Sequence, residues 1–330
     1  MASAQSSVAA TPCTQRTLTV VRKRGYVICG ASQGTAGFGL PDARGYWRGL
    51  DVDTCRAVAA AVLGDKDKAQ FIPISGQERL TALQTGEIDI LTHTTTWTLP
   101  RDSSGVIFTF PNYYDYTGFL VRKASGARGV RDLKGASVCV ETGSTTEVTL
   151  ADVSRRYRLD LKPVIFDNIQ ATRQAFFSSR CDALISDASA LASVRASQTR
   201  DPNAYIIFPA NDQIEALTPA VREGDDQWLD IVKWSFQALL NAERLGIDRE
   251  NVDSMLESKD PDIRRFLGVD PGNGKALGLD ERWAYDIVKQ LGNYGEIFNR
   301  DVGAGSPLEI PRGMNRLARD GGLMVPLPFD

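Results

Sequence analysis

One histidine, His93, is all that 330 residues contain, and the five cysteines include no Cys-x-x-Cys pair. Zinc sites draw on clustered His and Cys ligands, so no metal centre is expected. With one imidazole, no Cys–His or Ser–His–Asp order is evident either. No apolar run approaches the roughly 18 residues that cross a bilayer, so the chain is not expected to be membrane-embedded. An extended basic block is also missing, and the net charge is −3, which argues against nucleic acid as a partner. The Gly-x-x-x-x-Gly-Lys phosphate loop is absent as well. What is present is ordinary globular composition, 42% hydrophobic and 24% charged, enough for one large domain or two of average size.

The start, "MASAQSSVAATP", has no charged n-region or apolar h-region. It reads as the loose tail of a cytosolic protein, or as the mature start of a secreted one with a Met added. Cys13, Cys29, Cys55, Cys139 and Cys181 allow two bridges and one leftover thiol, or five buried reduced cysteines.

Apolar periodicity organises the rest. "GYVICGASQ", "AQFIPIS" and "IDILTH" read as strands alternating with the helical stretches "GLDVDTCRAVAAAVLG" and "GQERLTALQTGE". After "YTGFLVRKA" the pattern restarts, with strands "LKGASVCVE", "KPVIFD" and "DALISD" and helices after each. Both units therefore read as parallel α/β sheets. From Asp225 onward the chain reads as helical, including one helix over "LDERWAYDIVKQLGNYGEIFNRDVG". A Gly/Pro-punctuated end follows and is expected to wrap the surface. Ligands of open parallel sheets sit beyond the carboxyl ends of strands, so two facing units would share one cleft.

Three polar loops follow such strand ends. In "HTTTWTLPRD", Thr94 and Thr96 are two apart and share a face if the segment is extended, while Arg101 offers a planar fork for a carboxylate. The alternative is a capped turn with a surface Arg. In "ETGSTTE", hydroxyl residues at a strand-to-helix turn put free N–H groups at a positive helix end, suited to an anion. The alternative is plain N-capping, since Ser144 to Glu147 fits the capping box. In "DALISDAS", Asp187 ends an apolar strand, where it would serve as a cation-binding carboxylate or as a helix N-cap. Arg and N–H groups suit a carboxylate; Asp and hydroxyl oxygens suit an ammonium. A ligand with both charges is an α-amino acid.

The chain resembles the periplasmic amino-acid-binding proteins of bacterial ABC transporters, most closely the general L-amino-acid-binding group. The resemblance rests on "CGASQGTAGF", "GLDVDTCRAVAAAV", "RLTALQTGEIDIL", "TTTWTLPRD", "GASVCVETGSTTE", "AVREGDDQWLDIVKW" and "LGNYGEIFNRDVG", from about Gly25 to the C-terminus. It implies an α/β, two-lobed periplasmic-binding-protein (flytrap) fold joined by two hinge strands. Lobe 1 would comprise residues 17–116 and 216–330, lobe 2 residues 117–215, and residues 1–16 a flexible tail. Arg101 would clamp the α-carboxylate with Thr96 and the N–H groups around Thr145 and Thr146. Asp187 would hold the α-ammonium with Thr94 and Thr96. The side-chain pocket would draw on Ser32, Thr35, Gln77, His93, Glu141 and Ser144. Ser32 and Thr35 stand where relatives for cationic ligands have an acid and an aromatic. Neutral His93 with Glu141 would accept an amide; protonated His93 would favour an acid.

The resemblance further implies a secreted, periplasmic chain whose signal peptide has been removed. Its bridges would be Cys139–Cys181 and Cys29–Cys55, with Cys13 left over. It implies no cofactor and no catalysis, a free polar L-amino acid as ligand, a membrane permease as partner, and a monomer. Two other readings use the same fold: a dehydratase acting on a small carboxylic acid through Glu141, and an amino-acid sensor module.

Overall fold

The computed structural model describes residues 16–330 and contains two five-stranded sheets. In chain order, strand β1 (Val27–Ser32) leads through a turn-rich loop to helix α1 (Leu50–Leu63). Then come β2 (Ala69–Ile74), α2 (Arg79–Thr85), the two-residue β3 (Ile90–Leu91) and β4 (Val106–Phe108). Strand β5 (Tyr113–Arg122) carries the chain into the second sheet. There β6 (Ser137–Glu141), α3 (Thr145–Tyr157), β7 (Lys162–Phe166), α4 (Ile169–Phe177), β8 (Ala183–Asp187) and α5 (Ala188–Gln198) follow. The 13-residue β9 (Tyr205–Leu217) brings the chain back to β10 (Ala220–Arg222) and the long helix α6 (Asp226–Leu245).

The sheets are mixed, not purely parallel as the periodicity suggests. β1 pairs in parallel with β2 and β3, and β6 pairs in parallel with β7 and β8. The strands that carry the chain between sheets run the other way: β5 and β9 pair antiparallel, and β10 returns antiparallel to β3 and β4. Period-2 and run-length patterns report which faces are buried but not strand direction, which here follows from the double crossing.

Helix α1 is buried along nearly its whole length, from Leu50 to Val62, so its small residues permit close packing on every side. Its start needs Gly49: φ is 128°, and a Cβ there would lie 2.3 Å from the Phe38 carbonyl. Gly64, left-handed at φ 67°, ends it, as the sequence indicates. The C-terminal helix expected over the "LDERWAYDIVKQLGNYGEIFNRDVG" stretch is two helices, Trp283–Leu291 and Tyr294–Asp301. Gly292 breaks it, and Asn293 restarts it by a capping box with Glu296. The Gly/Pro-rich end does more than wrap the surface. Leu317 and Met324 are fully buried in the main core. The Asn315 side chain accepts the Tyr114 N–H at 2.7 Å and donates to its carbonyl at 3.0 Å, clasping the start of β5.

Both expected bridges are formed. Cys29–Cys55 ties β1 to α1, and Cys139–Cys181 ties β6 to the turn before β8, with Cα atoms 6.5 and 5.6 Å apart. Cys13 lies outside the described residues.

The Cys139–Cys181 bridge spans a sequence separation of 42 residues. Closing a loop of that size stabilises the folded state by about 3–4 kcal/mol through unfolded-state entropy. We therefore expect a Cys139→Ala/Cys181→Ala protein to lose stability of that order in urea unfolding; a loss below about 1 kcal/mol would contradict it.

Candidate functional site

Strand ends from both sheets face one another across a cleft. A cavity there is enclosed by Ser32, Thr35, Arg79, His93, Thr94 and Thr96 from the first unit. Glu141, Ser144, Thr145, Thr146, Arg173 and Asp187 enclose it from the second. Ten of the twelve residues named from sequence are therefore brought together. The other two sit elsewhere. Gln77 is exposed at the mouth and donates to Thr142 Oγ1 at 3.3 Å. Arg101 lies at the cleft edge, its guanidinium donating to the carbonyls of Thr96 (2.9 Å) and Gly143 (3.3 Å). Burial lowers the pKa of Arg101, opposed by the charges of Asp187 and Glu215 close by.

The first wall is not an extended strand. β3 stops at Leu91, and Thr94 is left-handed at φ 42°, an uncommon conformation for a β-branched residue. Asp51, in the first turn of α1, holds it there by accepting the Thr94 N–H at 2.7 Å. Asn112 donates to the same carboxylate at 2.8 Å. Burial raises the Asp51 pKa to about 6, against these two hydrogen bonds.

On the second wall, Ser144 is the N-cap of α3 and accepts the Glu147 N–H at 3.2 Å. The Glu147 carboxylate reaches past the expected capping-box partner to the Gly143 N–H, at 3.1 Å. As the first residues of the helix, Thr145 and Thr146 have N–H groups with no intrahelical acceptor, and both line the cavity. Asp187 holds the N-cap position of α5, yet its carboxylate makes no capping bond. Asp115 of β5 takes that role, accepting from the Ser189 N–H (3.2 Å) and hydroxyl (2.5 Å). Burial and the neighbouring Glu215 and Asp115 raise the Asp187 pKa well above the usual carboxylate range.

Three charged groups were not singled out from sequence. Arg79, at the start of α2, and Arg173, on α4, are 6% and 3% exposed and line the cavity from opposite sides. Glu215 of β9 accepts from Thr96 Oγ1 (2.6 Å), Thr145 Oγ1 (3.3 Å) and the Thr117 hydroxyl. For the two arginines the only signal was position: α2 and α4 begin just after strand ends that face the cleft.

The two sides touch directly around the cavity. Arg173 donates to the Gly34 carbonyl at 2.8 Å and to Thr35 Oγ1 at 3.3 Å, and Gln170 donates to the Gln33 carbonyl at 2.5 Å. Thr96 and Thr145 hydroxyls are 3.4 Å apart. Burial raises the Glu141 pKa, opposed by the charges of Arg79 and Arg173 and by the nearby Gly76 amide. The donor and acceptor set suits a small zwitterion. Ser32 lies in a Gly-Ala-Ser-Gln-Gly run with the spacing of a hydrolase elbow, but the chain turns after it where an elbow would enter a helix. Its hydroxyl shares a 3.0 Å hydrogen bond with Thr35, and His93 Nε2 is bonded to the Ile74 carbonyl at 2.7 Å.

The family model for bacterial extracellular solute-binding proteins, family 3, matches residues 27–246, and the chain belongs to that family. It is 46% identical over 325 residues to the general L-amino acid-binding periplasmic protein AapJ of Rhizobium johnstonii, covering 98% of this chain and 95% of that one. It is 43% identical to the glutamate/glutamine/aspartate/asparagine-binding protein BztA of Rhodobacter capsulatus, over 95% and 93% of the two chains. Among solved structures, an ABC transporter periplasmic binding protein from Brucella ovis with glutathione bound superposes with a TM-score of 0.93. That pair is 44% identical, covering 96% of this chain and all of the other.

A carbonyl cannot donate, so His93 Nε2 carries the proton, and Nδ1 is a buried acceptor with no hydrogen-bond partner among the described residues. Burial and the Arg79 charge lower the His93 pKa to about 4. The unfolded imidazole takes up a proton near pH 6.5, the folded one only near 4. His93 therefore costs stability as pH falls through that window. Because the chain has one histidine, its NMR signals need no assignment by mutagenesis. The expected midpoint lies below pH 5; one near 6.5 would show that the ring is not held neutral in the cleft.

Proposed function

We propose that this protein captures a polar L-amino acid between its lobes and delivers it to the membrane permease of an ABC transporter. The observation that carries this is Asp187. A carboxylate at a helix N-cap position normally satisfies helix N–H groups, but this one is left to the cavity while Asp115 does the capping. Opposite charges flank it: the N-terminus of α3, with its free N–H groups, and Arg101 at the edge. Asp187 with Thr94 and Thr96 then binds the α-ammonium. The α3 amides, Thr96 and Arg101 bind the α-carboxylate, Arg101 by turning from its two carbonyl partners.

Closure follows from the same geometry. The hinge crossings lie near Tyr116 and Ala216, which divides the chain into residues 17–116 with 216–330 and residues 117–215. Only with the lobes together do both walls reach one ligand, so binding draws the population toward the closed state. Catalysis is no part of this reading, since neutral His93 is committed to a backbone carbonyl and nothing activates the Ser32 hydroxyl. The names of the relatives support an acidic or amide amino acid, and the glutathione in one of them extends the class to γ-glutamyl compounds. The name of the first of these relatives, AapJ, supports a periplasmic location.

A thermal-shift screen against the twenty L-amino acids and glutathione, followed by calorimetry, tests this. A ligand specific to the folded state adds about 2.7 kcal/mol at a hundredfold excess over its Kd, which is readily seen. Arg101→Ala and Asp187→Ala are each expected to weaken the tightest ligand at least about 100-fold, or about 2.7 kcal/mol. A loss under threefold for both would reject the site.

A further inference from the structure

The head of an amino acid accounts for Asp187, Arg101 and the start of α3. It leaves two buried cations in the same cavity without a role. Arg79 enters from α2 in one lobe and Arg173 from α4 in the other. Among the described residues neither makes an ion pair, and the buried Nε of each has no hydrogen-bond partner. Arg173 places one N–H of each terminal nitrogen on Gly34 and Thr35, which leaves three of its five N–H groups, the Nε one among them, with no acceptor among the described residues. Arg79 donates no side-chain hydrogen bond to any described residue. Burial lowers the pKa of both, to about 9 and about 10, so each remains charged at neutral pH.

Glu141 is the only carboxylate whose charge acts on both guanidiniums. Asp187 also acts on Arg79, but once the ligand's ammonium takes up Asp187, two cations face one anion and this end of the cavity keeps an excess positive charge. A buried charge without a partner costs several kcal/mol, and each orphaned donor adds its own desolvation penalty. The acceptors nearby do not correct this. His93 Nδ1 is neutral, and the single Glu141 charge is shared between the two guanidiniums. A neutral amide would satisfy hydrogen bonds but leave the excess charge; a carboxylate corrects both, and guanidinium forks match its geometry.

We infer that Arg79 and Arg173 form a second anion subsite, built from both lobes, that takes the distal carboxylate of an α-amino-acid ligand. The inference rests on the amino-acid reading above and narrows it to ligands with a second acidic group. Because one arginine comes from each lobe, the subsite is complete only on closure. Arg173 serves it twice, since its other nitrogens already hold the opposite lobe at Gly34 and Thr35. Two sources share this chemistry: a free acidic amino acid, and a γ-glutamyl peptide whose terminal carboxylate lies farther from the head.

Calorimetry on the full chain separates the possibilities with four probes: L-glutamate, L-aspartate, γ-glutamylglycine and L-glutamine, the last a neutral isostere of the first. The wild type is expected to prefer an acidic probe over glutamine by at least about tenfold. In Arg79→Met and Arg173→Met that preference is expected to fall to about one or invert. Tighter binding of γ-glutamylglycine than of glutamate would identify the peptide as the source, and the reverse order the free acid. Arg79→Lys, which keeps the charge and loses the fork, serves if the Met variant does not fold; it is expected to lose most of the preference. Glutamine bound as tightly as glutamate by the wild type would overturn the subsite while leaving the amino-acid reading intact. So would a preference unchanged in the folded variants. Binding of none of the four, or of any other amino acid, would overturn both.

Discussion

The cleft of this protein buries charge that no described residue pairs, and the remaining architecture is arranged around that constraint. The Asp187 carboxylate makes no capping bond, and among the described residues the Nε groups of Arg79 and Arg173 have no partner in the cavity. In a low-dielectric interior each such group opposes folding and closure alike. Opposite signs within the cavity, Glu141 near both arginines and Arg101 near Asp187, offset part of that cost at a distance. In the proposed function, the balance is completed by a charged solute whose groups meet these side chains. On the proposed reading, such a protein favours its open form when alone and its closed form when occupied. That is population shift by differential contact, with the ligand supplying what the closed state lacks.

In the proposed mechanism, coupling between binding and closure centres on Glu215. Glu215 lies on β9, one of the two strands that cross between the sheets, and gathers hydroxyls from three places. Thr96 comes from the first unit, Thr145 from the second and Thr117 from the other crossing strand. Thr96 and Thr145 are the residues assigned to the ligand head, so the same hydroxyls report on ligand and on hinge. The C-terminal segment adds the other half of the device. Asn315 clasps Tyr114 at the start of β5, while Leu317 and Met324 anchor that segment in the core. If these strands form the hinge, as proposed, the clasp leaves the part beyond it, where Asp115 and Glu215 pair, as the segment to bend.

Much of this was legible in the chain. Loops at strand ends announced themselves through abrupt runs of small polar residues after apolar ones, and all three named that way line one cavity. What stayed hidden did so for physical reasons. Arg79 sits in a helix whose apolar pattern packs it on its own sheet, and nothing in that pattern says that another lobe will cover its first turn. Arg173 is hidden likewise, one residue among the buried face Thr172, Arg173, Ala175 and Phe176. Glu215 is one of 41 acids, and its strand position carries no signal of three hydroxyl donors from distant segments. The left-handed Thr94 depends on Asp51, 43 positions earlier, so a local rule that assumes an extended segment misplaces it. Burial created by two units meeting is a non-local property, and single-chain periodicity does not contain it.

The disulfides show where rigidity is required. Cys29 lies three residues before Ser32 on β1, and Cys139 two before Glu141 on β6, so each bridge braces the first strand of a unit just below its site loop. Cys55, on α1, also lies one turn beyond Asp51, the residue that holds Thr94 in its strained conformation. Neither bridge crosses the hinge. Covalent constraint is thus spent inside the lobes, where charged groups must be held against their tendency to turn toward water, and withheld between them. A site assembled from two walls needs each wall preformed to within a fraction of an ångström. Otherwise the energy gained on meeting the ligand goes into ordering the walls rather than into closing the cleft.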